Sequence, residues 1–256
     1  RTAVLIEGAR RVGKSTLARQ FAQNEYESYV MIDFSIVKKD ILELFDSIAN
    51  LDYFFLQLQF RLGVSLKERK SLIIFDEVQM CPKARQAIKH LVADGRYDYI
   101  ETGSLISIRK NVKDIVIPSE EEKMILHPLD YEEFKWALGD TTTIAQMRMI
   151  FEKRLSMGDA VTRKLMRDFR LYMAVGGMPQ AVCEYLETNN LMDVDRVKRG
   201  IIQLYEDDFY RIDQSGRISM LFDAIPAQLT SNASRFQVAS ALGDNVDSEK
   251  TLQLIS

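Results

Sequence analysis

The run Gly8-Ala9-Arg10-Arg11-Val12-Gly13-Lys14-Ser15-Thr16 follows an apolar segment, Ala3-Val4-Leu5-Ile6, and leads into Leu17-Ala18-Arg19-Gln20-Phe21. Its spacing is G-x-x-x-x-G-K-[ST], the pattern of a phosphate-binding loop between a strand and a helix. Glycine at both ends lets the backbone turn so that successive N–H groups point inward, forming a nest for an anion. A helix starting near Lys14 aims the positive end of its dipole at the same place. Lys14 can neutralise β- and γ-phosphates, and Ser15 can offer a hydroxyl to Mg²⁺. The residues read as binding the phosphates are therefore Gly8 to Thr16.

Working outward, a second motif answers the first. Leu72-Ile73-Ile74-Phe75 runs into Asp76-Glu77. A buried strand of this kind delivers two carboxylates to the C-terminal edge of a sheet, where open α/β sheets bind ligands. Asp76 is read as a metal-shell carboxylate, and Glu77 as the group that orients or deprotonates an attacking water. A third strand end, Tyr99-Ile100-Glu101-Thr102-Gly103-Ser104, supplies hydroxyls suited to sensing a γ-phosphate. Thr102 and Ser104 are both candidates, and the residues do not rank them.

Apolar runs at 3–7, 29–34, 72–76, 98–102 and 123–127 alternate with helical patterns up to about Trp136. That alternation predicts a mostly parallel α/β sheet covered on both faces. Beyond Gly139 the pattern has a 3.6-residue period only, with helices expected at 143–156, 159–175, 179–188, 192–212 and 217–229. Gly176-Gly177 followed by Pro179 is a stop and restart between two of them. The expected organisation is a nucleotide domain at 1–137 and a helical domain at 138–256. Glu120-Glu121-Glu122 reads as a solvated turn before the fifth strand. Tyr131, Phe134 and Trp136 read as packing residues.

Composition sets the outer bounds. With 46% hydrophobic and 28% charged residues in 256, the chain has the makeup of a globular protein and not of a disordered one. A net charge of −3 argues against a surface built wholly for nucleic acid. No apolar run approaches the ~20 residues of a membrane span, so no membrane partner is expected. Cys81 and Cys183 are the only cysteines, which favours a reducing, cytoplasmic setting. The chain opens on Arg1 and closes on Ser256 within a helical pattern, as expected for part of a longer protein.

Together with Pro128-Leu129-Asp130-Tyr131-Glu132-Glu133-Phe134 and Gly176-Gly177-Met178-Pro179, these motifs resemble the AAA+ superfamily. More narrowly they are similar to bacterial and archaeal AAA-type ATPases fused to a C-terminal domain of unknown function. The resemblance implies a P-loop sheet ordered 5-1-4-3-2, ATP with Mg²⁺ as cofactor, and hydrolysis used as a conformational switch on an unidentified protein client. It also implies that 234–256 opens a winged helix, a route to DNA. Arg109 is the one residue of 105–117 that could serve as an arginine finger, and the arginine that related sequences carry before the fifth strand is absent. That absence leaves trans-activation by a neighbouring subunit, and hence the oligomeric state, open.

Rival readings fit less well. A GTPase would need D-x-x-G and N-K-x-D, whereas this chain has Asp76-Glu77-Val78-Gln79 and Asn111-Val112-Lys113-Asp114. A helicase would need a second sheet domain in the helical half. Two alternatives to a client-directed ATPase stay open: a DNA-associated module regulated by ATP, and a nucleotide-gated scaffold with little turnover. Binding of duplex DNA that weakens steeply with salt would mark the first.

Overall fold

The computed structural model describes residues 2–104, 120–230 and 235–242. Five strands, β1 (Ala3–Gly8), β2 (Ser28–Asp33), β3 (Ser71–Asp76), β4 (Asp98–Ser104) and β5 (Glu121–Leu126), form one sheet in the order β2-β3-β4-β1-β5. Every neighbouring pair is parallel. This is the order 5-1-4-3-2 read from the other edge. All six residues of β3 are buried, which is why its sequence is a continuous apolar run and not an alternating one.

The helices of this part are α1 (Lys14–Glu25), α2 (Lys39–Leu44), α3 (Leu51–Leu62) and α4 (Pro82–Asp94). Asn50 caps α3 by accepting from the Tyr53 N–H, and α4 has proline in its first turn and Gly95 in the left-handed region at its end. One face of the sheet carries an aromatic core in which Phe34, Phe45, Phe54 and Phe75 meet edge to face or tilted. The other face buries Ile6, Leu72, Ile74 and Ile100 with Ala18 and Ala22 of α1. Small residues on α1 let the helix lie close to the strand ends.

The acidic run before the fifth strand departs from expectation. Glu121 and Glu122 belong to β5, and the Glu121 side chain is 1% exposed. The reason lies on α4, where the buried Arg85 holds both Glu121 oxygens from Nε and Nη2, each at 2.9 Å. A bidentate guanidinium makes a buried carboxylate tolerable. Glu101 of β4 is fully buried beside this pair, and neither of its oxygens meets a donor among the described residues. Burial pushes its carboxyl well above the usual 4.5, and the Glu121 charge pushes it further, against the pull of Arg85. The neutral form, which can donate toward Glu121, is the form the fold favours.

Next comes α5 (Tyr131–Ala137), opened by a capping box in which Glu133 N–H donates to Asp130 Oδ1 (2.8 Å) and Asp130 N–H to Glu133 Oε2 (2.9 Å). Phe134 is fully buried, and Tyr131 meets the rings of Phe169 and Tyr172. Trp136 is 49% exposed, so the packing expected of all three aromatics holds for two. Helices α6 (Thr143–Glu152) and α7 (Gly158–Val175) follow; the buried Lys135 ammonium meets Asp168 of α7 at 3.0 Å and, at 2.9 Å, Asp140, which in turn accepts from the first residue of α6, Thr143.

The chain forms two compact units, Arg1–Val182 and Cys183–Ser256, so α8 (Pro179–Thr188) crosses from one to the other. The second unit contains α9 (Leu191–Ile212), α10 (Arg217–Asp223), α11 (Ile225–Thr230) and α12 (Val238–Leu242). Its core includes Val194, Ile201, Ile218 and Leu221, with Phe209 against Phe222. The segment expected to open a winged helix is described only at 235–242. The rest of it, and Arg109, lie outside the described residues.

Two substitutions test the buried charges. Because the Glu101 carboxyl is raised above its unfolded value, its contribution to stability is complete below about pH 4.5 and is lost as pH climbs toward the raised value. Glu101→Gln removes that loss, so its advantage in thermal unfolding over the parent should grow from pH 5 to pH 8. Arg85→Leu strands Glu121 and should cost about 3–5 kcal/mol in denaturant unfolding.

Candidate active site

The parallel register sets the frame. Gly8 stands opposite Ser104 and Leu126, and Asp33 opposite Asp76, so these residues end their strands at one edge. Side chains alternate between faces along a strand. The rows Leu72-Ile74 and Ile6, which pack on α1, therefore continue into Asp76 and Gly8, and Ile100 continues into Thr102.

Gly8 is required by close approach: a β-carbon there would stand 2.4 Å from the Leu126 carbonyl oxygen. Gly13, at φ 101, and Arg11, at φ 67, place the turn in the left-handed region, an uncommon conformation for arginine. Lys14 is 6% exposed, and its ammonium donates to the carbonyls of Gly8 (3.1 Å) and Ala9 (2.9 Å). Burial lowers its pKa; Glu77 and then Asp76 oppose that shift, while Arg10 adds to it.

Ser15 Oγ donates to Asp76 Oδ1 at 2.7 Å across 61 residues of sequence. Thr102 Oγ1 donates to the same Asp76 oxygen and accepts from the Glu77 N–H at 3.3 Å. Lys14, Ser15, Asp76, Glu77 and Thr102 thus come together. Ser104 ends the same strand two residues beyond Thr102, level with Gly8 in the register. Glu77 itself is left-handed, at φ 54 and ψ 46, a strained state for a residue with a side chain.

A hard oxygen pair of hydroxyl and carboxylate 2.7 Å apart suits Mg²⁺, which needs few protein ligands when phosphates supply the others. Among the described residues no group of three or more His, Cys, Asp or Glu is placed to hold a metal by itself. Ser15 and Asp76 are the residues that fit the ion.

Two features beyond the motifs touch the same region. A β-carbon on Gly13 would lie 3.8 Å from Pro179 Cγ, which puts the Gly176–Pro179 turn beside the loop. That turn is fixed by Leu129: its N–H donates to the Gly177 carbonyl (2.7 Å), and its own carbonyl accepts from Tyr172 Oη (2.8 Å). The second feature is Gln79, whose Nε2 donates to Glu77 Oε2. The Gly176–Pro179 turn is expected from the sequence as a helix stop and restart, but its place beside the loop is not, and Gln79 carries no expected role.

A family model described as an AAA domain matches residues 1–135, and one described as a domain of unknown function (DUF8612) matches 166–255. Among solved structures, the Walker-type ATPase Paby2304 of Pyrococcus abyssi is similar at 16% identity, over 99% of this chain and 83% of its own, with a TM-score of 0.54. The Aeropyrum pernix ORC1 protein in complex with DNA is similar at 13% identity over 99% and 76%, with a TM-score of 0.39. Hsp104 with ATPγS and FITC casein is similar at 14% identity over 59% and 27%, with a TM-score of 0.35. At such identities the first likeness speaks for the fold alone, and the other two carry no argument. No curated protein matches the sequence. Among the described residues no helix is long and apolar enough to cross a membrane.

The turn beside the loop yields a prediction. Gly177→Ala would place a β-carbon 2.1 Å from the Leu129 carbonyl oxygen, and should lower stability by about 1–3 kcal/mol. Gly200→Ala meets nothing within 4 Å on α9 and should be neutral or stabilising by about 0.5–1 kcal/mol. Paired denaturant titrations of the two variants would distinguish these outcomes.

Proposed function

We propose that this chain, which belongs to the AAA domain family, binds ATP with Mg²⁺ at the strand edge and hydrolyses it. The observation that carries the reading is the 2.7 Å contact of Ser15 with Asp76, which joins a phosphate loop to an acidic strand end beside Lys14. On this reading the backbone amides of residues 8–16 and the Lys14 ammonium hold the β- and γ-phosphates. Lys14 exchanges its two carbonyl partners for phosphate oxygens. Ser15 and Asp76 hold the metal shell, and Mg²⁺ when bound neutralises charge on the transferring group. Glu77 orients the attacking water and takes its proton.

Thr102 is the better placed of the two hydroxyl sensors, because its Oγ1 already links Asp76 to the Glu77 backbone. A change at the metal shell then reaches β4 and Glu77 through one hydroxyl. We assign the nucleotide domain to 1–137 and a helical domain to 138–256, with the Gly176–Pro179 turn carrying the nucleotide state from the loop toward the helices. The client is a protein of unknown identity. Two free thiols, Cys81 and Cys183, support a reducing cytoplasmic setting.

Lys14→Ala should abolish binding of a fluorescent ATP analogue. Glu77→Gln should keep that binding and lower phosphate release by about 10²–10⁴-fold. Parent-rate release from Glu77→Gln would overturn the water-activating role. A parent protein that binds ATP without turnover would favour the nucleotide-gated scaffold.

A further inference from the structure

We infer that Gln79 is a positioning residue for hydrolysis, holding the Glu77 carboxylate in the site through its side-chain amide; this rests on the ATPase reading above.

The geometry is local and unusual. Residues two apart on a helix do not face one another. Here they do, because Glu77 is left-handed and the chain turns at once into a single 3₁₀ turn, Val78–Met80. That turn is closed by Met80 N–H to the Glu77 carbonyl (2.9 Å) and Cys81 N–H to the Val78 carbonyl (3.0 Å). Val78 is fully buried and anchors it in the core. The result brings the Gln79 amide back onto the carboxylate, where Nε2 donates to Oε2. Gln79 is 7% exposed, so its rotamers are restricted by packing and the contact is preorganised.

The contact fixes a carboxylate whose own backbone is already tied to the site: the Glu77 N–H donates to Thr102 Oγ1, and the Thr102 hydroxyl donates to Asp76. A carboxylate has about four lone-pair directions, and one amide donor uses a single one, leaving others for a water and its proton. The choice of amide also has a chemical reason. Lysine or histidine at position 79 would bring a titrating charge to the base, whereas glutamine orients it and cannot give it a proton.

The test uses the whole chain, with phosphate release read across pH 6–9 and binding of a fluorescent ATP analogue measured in parallel. Gln79→Met keeps the length and removes the donor. We expect its ATP affinity and KM to stay within about twofold, while kcat falls roughly tenfold, a fraction of what a general base supplies. Gln79→Glu should be slower still across pH 6–9, because an ionised carboxylate repels Glu77 and a protonated one hands it a proton. A purely structural role would instead lower affinity and kcat together. In the Glu77→Gln background, adding Gln79→Met should change nothing further. Parent kcat in Gln79→Met, with the parent active, overturns the proposal and leaves the ATPase reading intact. Equal losses of affinity and kcat in both Gln79 variants also overturn it. A parent with no turnover overturns both readings together.

Discussion

Ser15 and Asp76 meet because β1 and β3, held apart by β4, end at the same edge of a parallel sheet. In an antiparallel arrangement neighbouring strands would end at opposite edges, and β4 would carry Thr102 away from Asp76. Parallel strands require crossover connections and burial on both faces. The apolar runs in β1, β3 and β4 are thus a condition of the site. The alternation of side chains then decides which face the chemistry takes. Asp76 and Thr102 continue rows that pack on α1, the helix that also carries Lys14 and Ser15.

The opposite face meets a different demand. Phe75 and Glu101 are register partners, and Phe75 belongs to the aromatic core there. A buried carboxylate in such surroundings is expensive unless it stays neutral. Its surroundings favour the neutral form of Glu101, beside an ion pair that Arg85 makes with Glu121. Polar residues in the interior are often kept for specificity and not for net stability. Here they connect α4, β4 and β5, all of which flank strands that end in the site.

Legibility follows distance along the chain. The phosphate loop and the Asp76-Glu77 strand end were readable because each motif is local, with geometry fixed by glycines or by a single buried strand. Helices after Gly139 were readable because their period is local too, except that the one expected at 217–229 is two, Arg217–Asp223 and Ile225–Thr230. The strand order came from family resemblance, since nothing in five apolar runs says which are neighbours. Glu121 was misread because its compensating arginine lies 36 residues away on another element. Thr102 was recognised as a strand-end hydroxyl, but its link to Asp76 depends on β4 lying beside β3. Gln79 had no visible role, because the left-handed turn at Glu77 that folds it back has no signature in the residue types. The passage between compact units falls inside α8, where the sequence has no punctuation.

Lys14 shows how the loop stays ready for an anion. A buried ammonium needs partners, and two carbonyls of its own loop provide them. Those carbonyls are dipoles, so they stabilise the cation less than a full negative charge would, and burial accordingly lowers its pKa. Two nearby carboxylates counter that shift and favour the charged form. In the proposed nucleotide site a phosphate would replace these partial charges with whole ones where the ammonium is already desolvated, so that each exchange would count for more than it does in water. The same burial that weakens the ammonium alone would then favour a polyanionic ligand.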